Sequence, residues 1–306
     1  VALALGGNPG VCANFKDRAQ RKLADVTPVL TMVGTRDPFV DYDKGEAKFW
    51  HNASYPQIRA LDIPWGMTLQ WGAGHDWGQS WSIFMLFAQE AYRLRVASAG
   101  AKLKPLTFAD GWLVESGWKK DWPAAVPVKT SAGDQAATVW LPSEAMVVPW
   151  RGFNVERSQV KLSFAGGVLT AEAPAGTKNV EFHDAGKRLG TAASAPWTLP
   201  VGERAGVRTL VAVAVLADGS RTPSRPLTVV DGTALDWRQG EADAKAAQEP
   251  AQQIRLSNDL RRTLMDALSG KATAALPALK SALTEATTSA HVEQRDAAAA
   301  LLKKLP

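Results

Sequence analysis

A single cysteine, Cys12, stands in 306 residues, so no disulfide can form within the chain. Its redox setting is therefore open between cytoplasm and a Gram-negative periplasm. The excess of one sign of charge is also small. Lys and Arg number 35 against 30 Asp and Glu, a net +5, and no dense basic block occurs, which argues against a nucleic-acid or membrane-surface partner. No apolar run approaches a membrane span in length. Tyrosine is rare, three residues, while tryptophan is abundant at twelve. With 46% hydrophobic and 21% charged residues the composition is that of a globular protein, and the length suits two or three domains.

The chemistry-bearing stretch runs from Val29 to Trp77. Leu30, Met32 and Val33 form one apolar run, and Gly34 permits a sharp turn that leaves Asp37 just beyond it. Met67, Leu69 and Trp71 form a second run, with Gly72 and Gly74 leading to His75. Each run reads as a buried strand whose carboxyl end presents one reactive residue, and in open α/β sheets ligand sites collect at that edge. Asp41 and Asp43 follow Asp37 closely enough that either could be the working acid, and an Asp in a strand-end turn also serves simply as a turn former. His51, His183 and His291 lack a strand-end context. His183 reads as a solvent-facing residue beside a hairpin turn.

An acid and then a histidine after successive strands, in the pattern G-x-x-D-P-x-V followed by G-x-G-H-x-W, resembles the carboxyl-terminal half of an α/β-hydrolase of the secreted esterase or dienelactone-hydrolase kind. The resemblance covers about residues 1–100. It implies that Asp37 and His75 are the acid and histidine of a serine-type triad. It also implies a carboxylic ester substrate, small or on a polysaccharide, no cofactor and no metal. Most of the tryptophans read as core or interdomain packing, and Trp77, by its adjacency to His75, is the candidate wall for an acyl or sugar group.

The motif G-x-S-x-G that should carry the nucleophile is missing from the sequence. By the resemblance, the opening strand VALALGG follows the nucleophile's helix. The chain is then expected to be amino-terminally truncated and inactive by itself, with the nucleophile and oxyanion hole upstream. Gly10-Val11-Cys12-Ala13-Asn14 imitates a nucleophile elbow, but Gly6, Gly7 and Pro9 intervene between strand and cysteine, whereas an elbow follows its strand directly. Cys12 reads better as an inert, partly buried thiol. Two alternatives stay open: a prolyl-oligopeptidase-like peptidase sharing this half-fold, and a non-catalytic chain for binding, adhesion or assembly.

Past His75, Ser82 to Val96 carries helical spacing. Residues 101–154 form a Trp- and Pro-rich connecting region expected to pack on the hydrolase part, with Ser143 a candidate cap for a short helix. From 155 to 230 the period changes to two, with turn signals at Gly166-Gly167, Asp184-Ala185-Gly186 and Asp218-Gly219. The passage from Asn179 to Ser220 resembles a bacterial immunoglobulin-like module, which implies a sandwich acting as spacer or adhesion unit. Val180, Phe182, Leu210, Val213 and Val215 are its expected packing residues.

A polar linker, 231–250, precedes three amphipathic helical periods in 251–306, and the last two, ALPALKSAL and EQRDAAAALLKKL, are similar to a single HEAT-type hairpin. The expected fold class is thus multidomain: a partial α/β-hydrolase with a parallel sheet and flanking helices, an all-β immunoglobulin-like sandwich, and a small α-helical segment. The hydrolase resemblance implies a periplasmic or extracellular location. Oligomeric state is open.

Overall fold

The computed structural model describes residues 3–6, 27–34, 62–71, 79–98, 100–115, 122, 125–131, 138–155, 158–235, 258–268, 274–289 and 292–305. Among the described residues β-strands outnumber helices. Three strands, β1 (Leu3–Gly6), β2 (Val29–Gly34) and β3 (Trp65–Gln70), pair in parallel in the order β1-β2-β3. The continuous apolar runs suit parallel strands covered on both faces, and Leu30, Met32, Val33, Met67 and Leu69 are all buried. Thr31, buried in β2, accepts a hydrogen bond from the Trp65 indole Nε1 at 2.6 Å, so the hydroxyl is not stranded in the core.

Helix α1 (Ser80–Arg95) follows and buries Ile83, Leu86, Phe87, Glu90 and Ala91, the i, i+3, i+4 stripe of an amphipathic helix. Arg93 and Arg95 in its last turn suit the negative end of the helix dipole. Residues 101–154 hold more than a connector. Strands β4 (Trp112–Glu115), β5 (Ala125–Pro127) and β6 (Thr138–Leu141) form an antiparallel sheet in the order β5-β4-β6, and a 3-10 turn at Glu144–Met146 leads into helix α2 (Val147–Asn154). Leu113, Val139, Trp140, Trp150 and Phe153 share one hydrophobic core with β2, β3 and α1.

Ser143 occupies the position before the 3-10 turn, but its side chain makes no cap bond. Its hydroxyl donates instead to Glu90 Oε2 on α1 at 2.5 Å, which corrects the expected capping role. The carboxylate wins because a charge-assisted acceptor outcompetes a neutral backbone donor. Burial pushes the Glu90 carboxyl up, but the bonds from Arg93 and Ser143 outweigh it and hold Glu90 below its ordinary range.

Residues 160–234 fold as an antiparallel β-sandwich. Strands β7 (Lys161–Ala165), β8 (Val168–Glu172) and β11 (Trp197–Pro200) make one sheet, ordered β11-β8-β7. The other is ordered β10-β9-β12-β14-β15, from β9 (Thr177–Asp184), β10 (Lys187–Ala192), β12 (Val207–Leu216), β14 (Leu227–Val230) and β15 (Thr233–Ala234), with β13 (Arg221–Pro223) also on β12. Pairing with β14 thus carries the sandwich a few residues into the stretch expected to be linker. Phe164, Leu169 and Ala171 from the first sheet meet Val180, Phe182, Leu210, Ala212, Ala214 and Val229 from the second.

Alternation along β12 sends 210, 212 and 214 inward, so Val211 and Val213 lie on the outer face. Both are nevertheless fully buried, because α1 and α2 lie against β12 on that side. Val213 therefore packs outside the sandwich core, and Val215 is only half-buried. Two glycines allow this close approach: a Cβ at Gly152 would clash with the Ser224 carbonyl, and one at Gly186 with the Ala145 backbone. Residues 158–235 expressed alone should still melt cooperatively, since the inner core is complete, but should self-associate through the bared Val211–Val213 face. Circular dichroism on heating and sedimentation velocity check this. A non-cooperative melt would mean that the sandwich folds only against α2.

The last three helices, α3 (Asn258–Leu268), α4 (Leu276–Ala286) and α5 (Val292–Leu302), pack in sequence order around Leu264, Leu279, Leu283, Ala298 and Leu301. No described helix is long and apolar enough to cross a membrane.

Candidate functional site

Asp37, His75 and Trp77 lie outside the described residues, as do Cys12, Asp41, Asp43, His51 and His291. What is described is the frame from which Asp37 and His75 extend. β2 and β3 are parallel neighbours in continuous register from Val29↔Trp65 to Gly34↔Gln70. Both chains therefore leave the sheet at the same edge. Asp37 comes three residues after Gly34 and His75 five after Gln70.

The segment carrying His75 and Trp77 leaves at Trp71 and returns at Ser80, the first residue of α1. Its stem is closed by a hydrogen bond from Ser80 Oγ to Gln70 Oε1 at 2.5 Å, with both residues buried. Trp71 is also buried and donates its indole Nε1 to the Asn154 carbonyl at 2.6 Å.

Asn154 and Trp150 of α2 complete the arrangement. β3 is the last strand on its side of the described sheet, and the backbone of such an edge needs partners. Asn154 Oδ1 accepts from the Leu69 amide at 2.5 Å and from Thr68 Oγ1 at 2.8 Å, while its Nδ2 donates to the Trp150 carbonyl at 2.5 Å. The Trp150 indole donates to the Met67 carbonyl at 2.9 Å. Two side chains of one short helix thus occupy the free edge of β3 just before the chain departs for His75. Asn154, Gln70 and Ser80 were missed in the sequence. A polar residue ending an apolar strand was a usable signal for Gln70, but nothing local marks Asn154.

The described histidine lies elsewhere. His183 on β9 is 6% exposed, which overturns its reading as a solvent-facing residue. Its register partner is Val211, and the outer face that they share is the one covered by α1 and α2. Burial lowers the His183 pKa against the opposing pull of Glu181, whose Oε2 lies 3.4 Å from Nε2. Burial pushes Glu181 up, but Arg221, bonded through Nη2 at 2.5 Å, outweighs it with help from His183, so Glu181 sits below its ordinary range. Among the described residues no cluster of His, Cys, Asp or Glu is placed to hold a metal ion.

No protein-family model matches the chain, and no curated protein does. Among solved structures, fibronectin(III)-like modules of Clostridium thermocellum CbhA are similar to part of it, with 28% sequence identity, 23% of this chain and 92% of that chain covered, and a TM-score of 0.22.

Proposed function

We propose that residues 1–100 are the acid-and-histidine half of an α/β-hydrolase and that the protein is a serine-type carboxylic ester hydrolase. The observation that carries the reading is the in-register parallel pairing of β2 and β3, which sends the segments bearing Asp37 and His75 off one sheet edge. In the reaction a serine hydroxyl, for which the sequence carries no G-x-S-x-G motif, attacks the ester carbonyl, and its proton passes to the His75 imidazole. The same proton then goes to the departing alkoxide as the tetrahedral intermediate collapses to acyl-enzyme. Water repeats the sequence and releases the acid. Asp37 orients the imidazole and offsets its charge, with Asp41 and Asp43 farther off. The Ser80–Gln70 bond and the Asn154 contacts brace the strand end and the helix start that flank the His75 segment.

Trp77 follows His75 closely enough to line the acyl or sugar subsite of an acylated polysaccharide or small carboxylic ester. In this reading the sandwich is an immunoglobulin-like unit appended to a secreted enzyme, and α4 with α5 is a HEAT-like hairpin. The 306-residue chain should take no fluorophosphonate label and hydrolyse no aryl ester. Hydrolysis abolished by Cys12→Ser would make Cys12 the nucleophile, and hydrolysis indifferent to that change would sink the triad altogether.

A further inference from the structure

We propose that the seam between α2 and β13 binds a small oxyanion, a carboxylate or an inorganic phosphate or sulfate, through Arg151 and Arg221. The guanidinium carbons of Arg151 on α2 and Arg221 on β13 lie 4.8 and 5.0 Å from the centroid of the Trp122 ring. The ring attracts both cations but offers no lone pair. Arg151 Nε and Nη2, Arg221 Nε and His183 Nδ1 are buried, and none has a hydrogen-bond partner among the described residues.

Glu181 is the carboxylate hydrogen-bonded within this group, and it is already engaged by Arg221, by Arg188 Nη1 at 3.4 Å and by His183. Glu115 acts on Arg151 only through its charge. Three guanidinium groups thus face two carboxylates, with donors left over. Burial and the neighbouring Arg221 lower Arg151 to about 10, so it stays charged at neutral pH and keeps its need for an acceptor.

Unpaired charged donors are costly, and an oxyanion supplies the missing lone pairs and the missing charge together in the geometry that a guanidinium prefers. Arg221 is 28% exposed along its side chain and Arg151 is half-buried, so the seam borders the surface, although the unpartnered nitrogens themselves are shielded from solvent. Arg208 makes the contrast: two of its nitrogens also lack partners, but the residue is 6% exposed within the sandwich and admits nothing from solvent.

The test is thermal unfolding of the chain in chloride at fixed ionic strength, titrated with phosphate, sulfate, acetate or citrate, beside Arg151→Met. Wild-type protein should show a saturable rise of a few degrees, of the size that ligand linkage gives well above Kd, while Arg151→Met shows only the shallow, unsaturable slope of salt exclusion. A rise with phosphate and sulfate alone assigns an inorganic oxyanion, and one with acetate or citrate assigns a carboxylate ligand. Identical anion responses in the two proteins overturn the proposal. Should Arg151→Met not fold, phosphorus NMR of inorganic phosphate and carbon NMR of acetate with wild-type protein decide it, since no saturable broadening of either ion overturns it without a variant.

Discussion

Replacing His75 by alanine in a form of the protein that includes its nucleophile should lower aryl-ester turnover by on the order of 10⁶, and Asp37→Ala by on the order of 10⁴. The asymmetry follows from the roles. Without His75 nothing accepts the serine proton at neutral pH, whereas without Asp37 the imidazole remains but loses its tautomer, its orientation and the charge that offsets protonation. The two changes should be far from additive, the double variant costing little more than His75→Ala alone, because acid and imidazole act as one unit. Steady-state kinetics with KM and kcat resolved separately would check this, and the loss should fall on kcat. A full loss from Asp41→Ala or Asp43→Ala, with Asp37→Ala near wild type, would transfer the acid role. Independent, multiplying effects of Asp37 and His75 would break the pair.

Much of the fold could be read from period alone. β2 and β3 are apolar runs ending at glycine or at Gln70–Trp71, and α3 and α4 carry leucines at turn spacing, so local sequence specifies them. The sandwich strands announce themselves by alternation and turns, but alternation is blind to what lies outside a sheet. Val213 reads as a sandwich packing residue, and His183 as exposed, because nothing in 177–216 encodes that α1 and α2 cover the outer face. Ser143 shows the same limit at smaller scale. Its local context is that of a cap, but its partner Glu90 is 53 residues away. At the proposed site the strand frame was legible, whereas the side chains that brace it were not.

Asn154 is the residue of that bracing whose loss should matter most. It is 2% exposed and joins helix α2 to the free edge of β3, with Leu69 lying 85 residues away in sequence. Asn154→Ala removes the acceptor for the Leu69 amide and the Thr68 hydroxyl and a donor to the Trp150 carbonyl, all in a core closed to water. Each buried group left unsatisfied costs roughly 1–3 kcal/mol, and the deleted amide leaves a small void besides, so a loss of about 3–5 kcal/mol is expected. Asn154→Asp should fall between the two, because it keeps the acceptor for Leu69 while its carboxylate repels the Trp150 carbonyl. Urea unfolding followed by tryptophan fluorescence would report a lowered midpoint for both variants with little change in slope. If Asn154→Ala unfolds within about 0.5 kcal/mol of wild type, the size of an ordinary surface substitution, the edge of β3 does not depend on α2. The expected loss would instead tie the strand that leads to His75 to a helix outside the proposed hydrolase half, making residues 147–154 part of the catalytic frame.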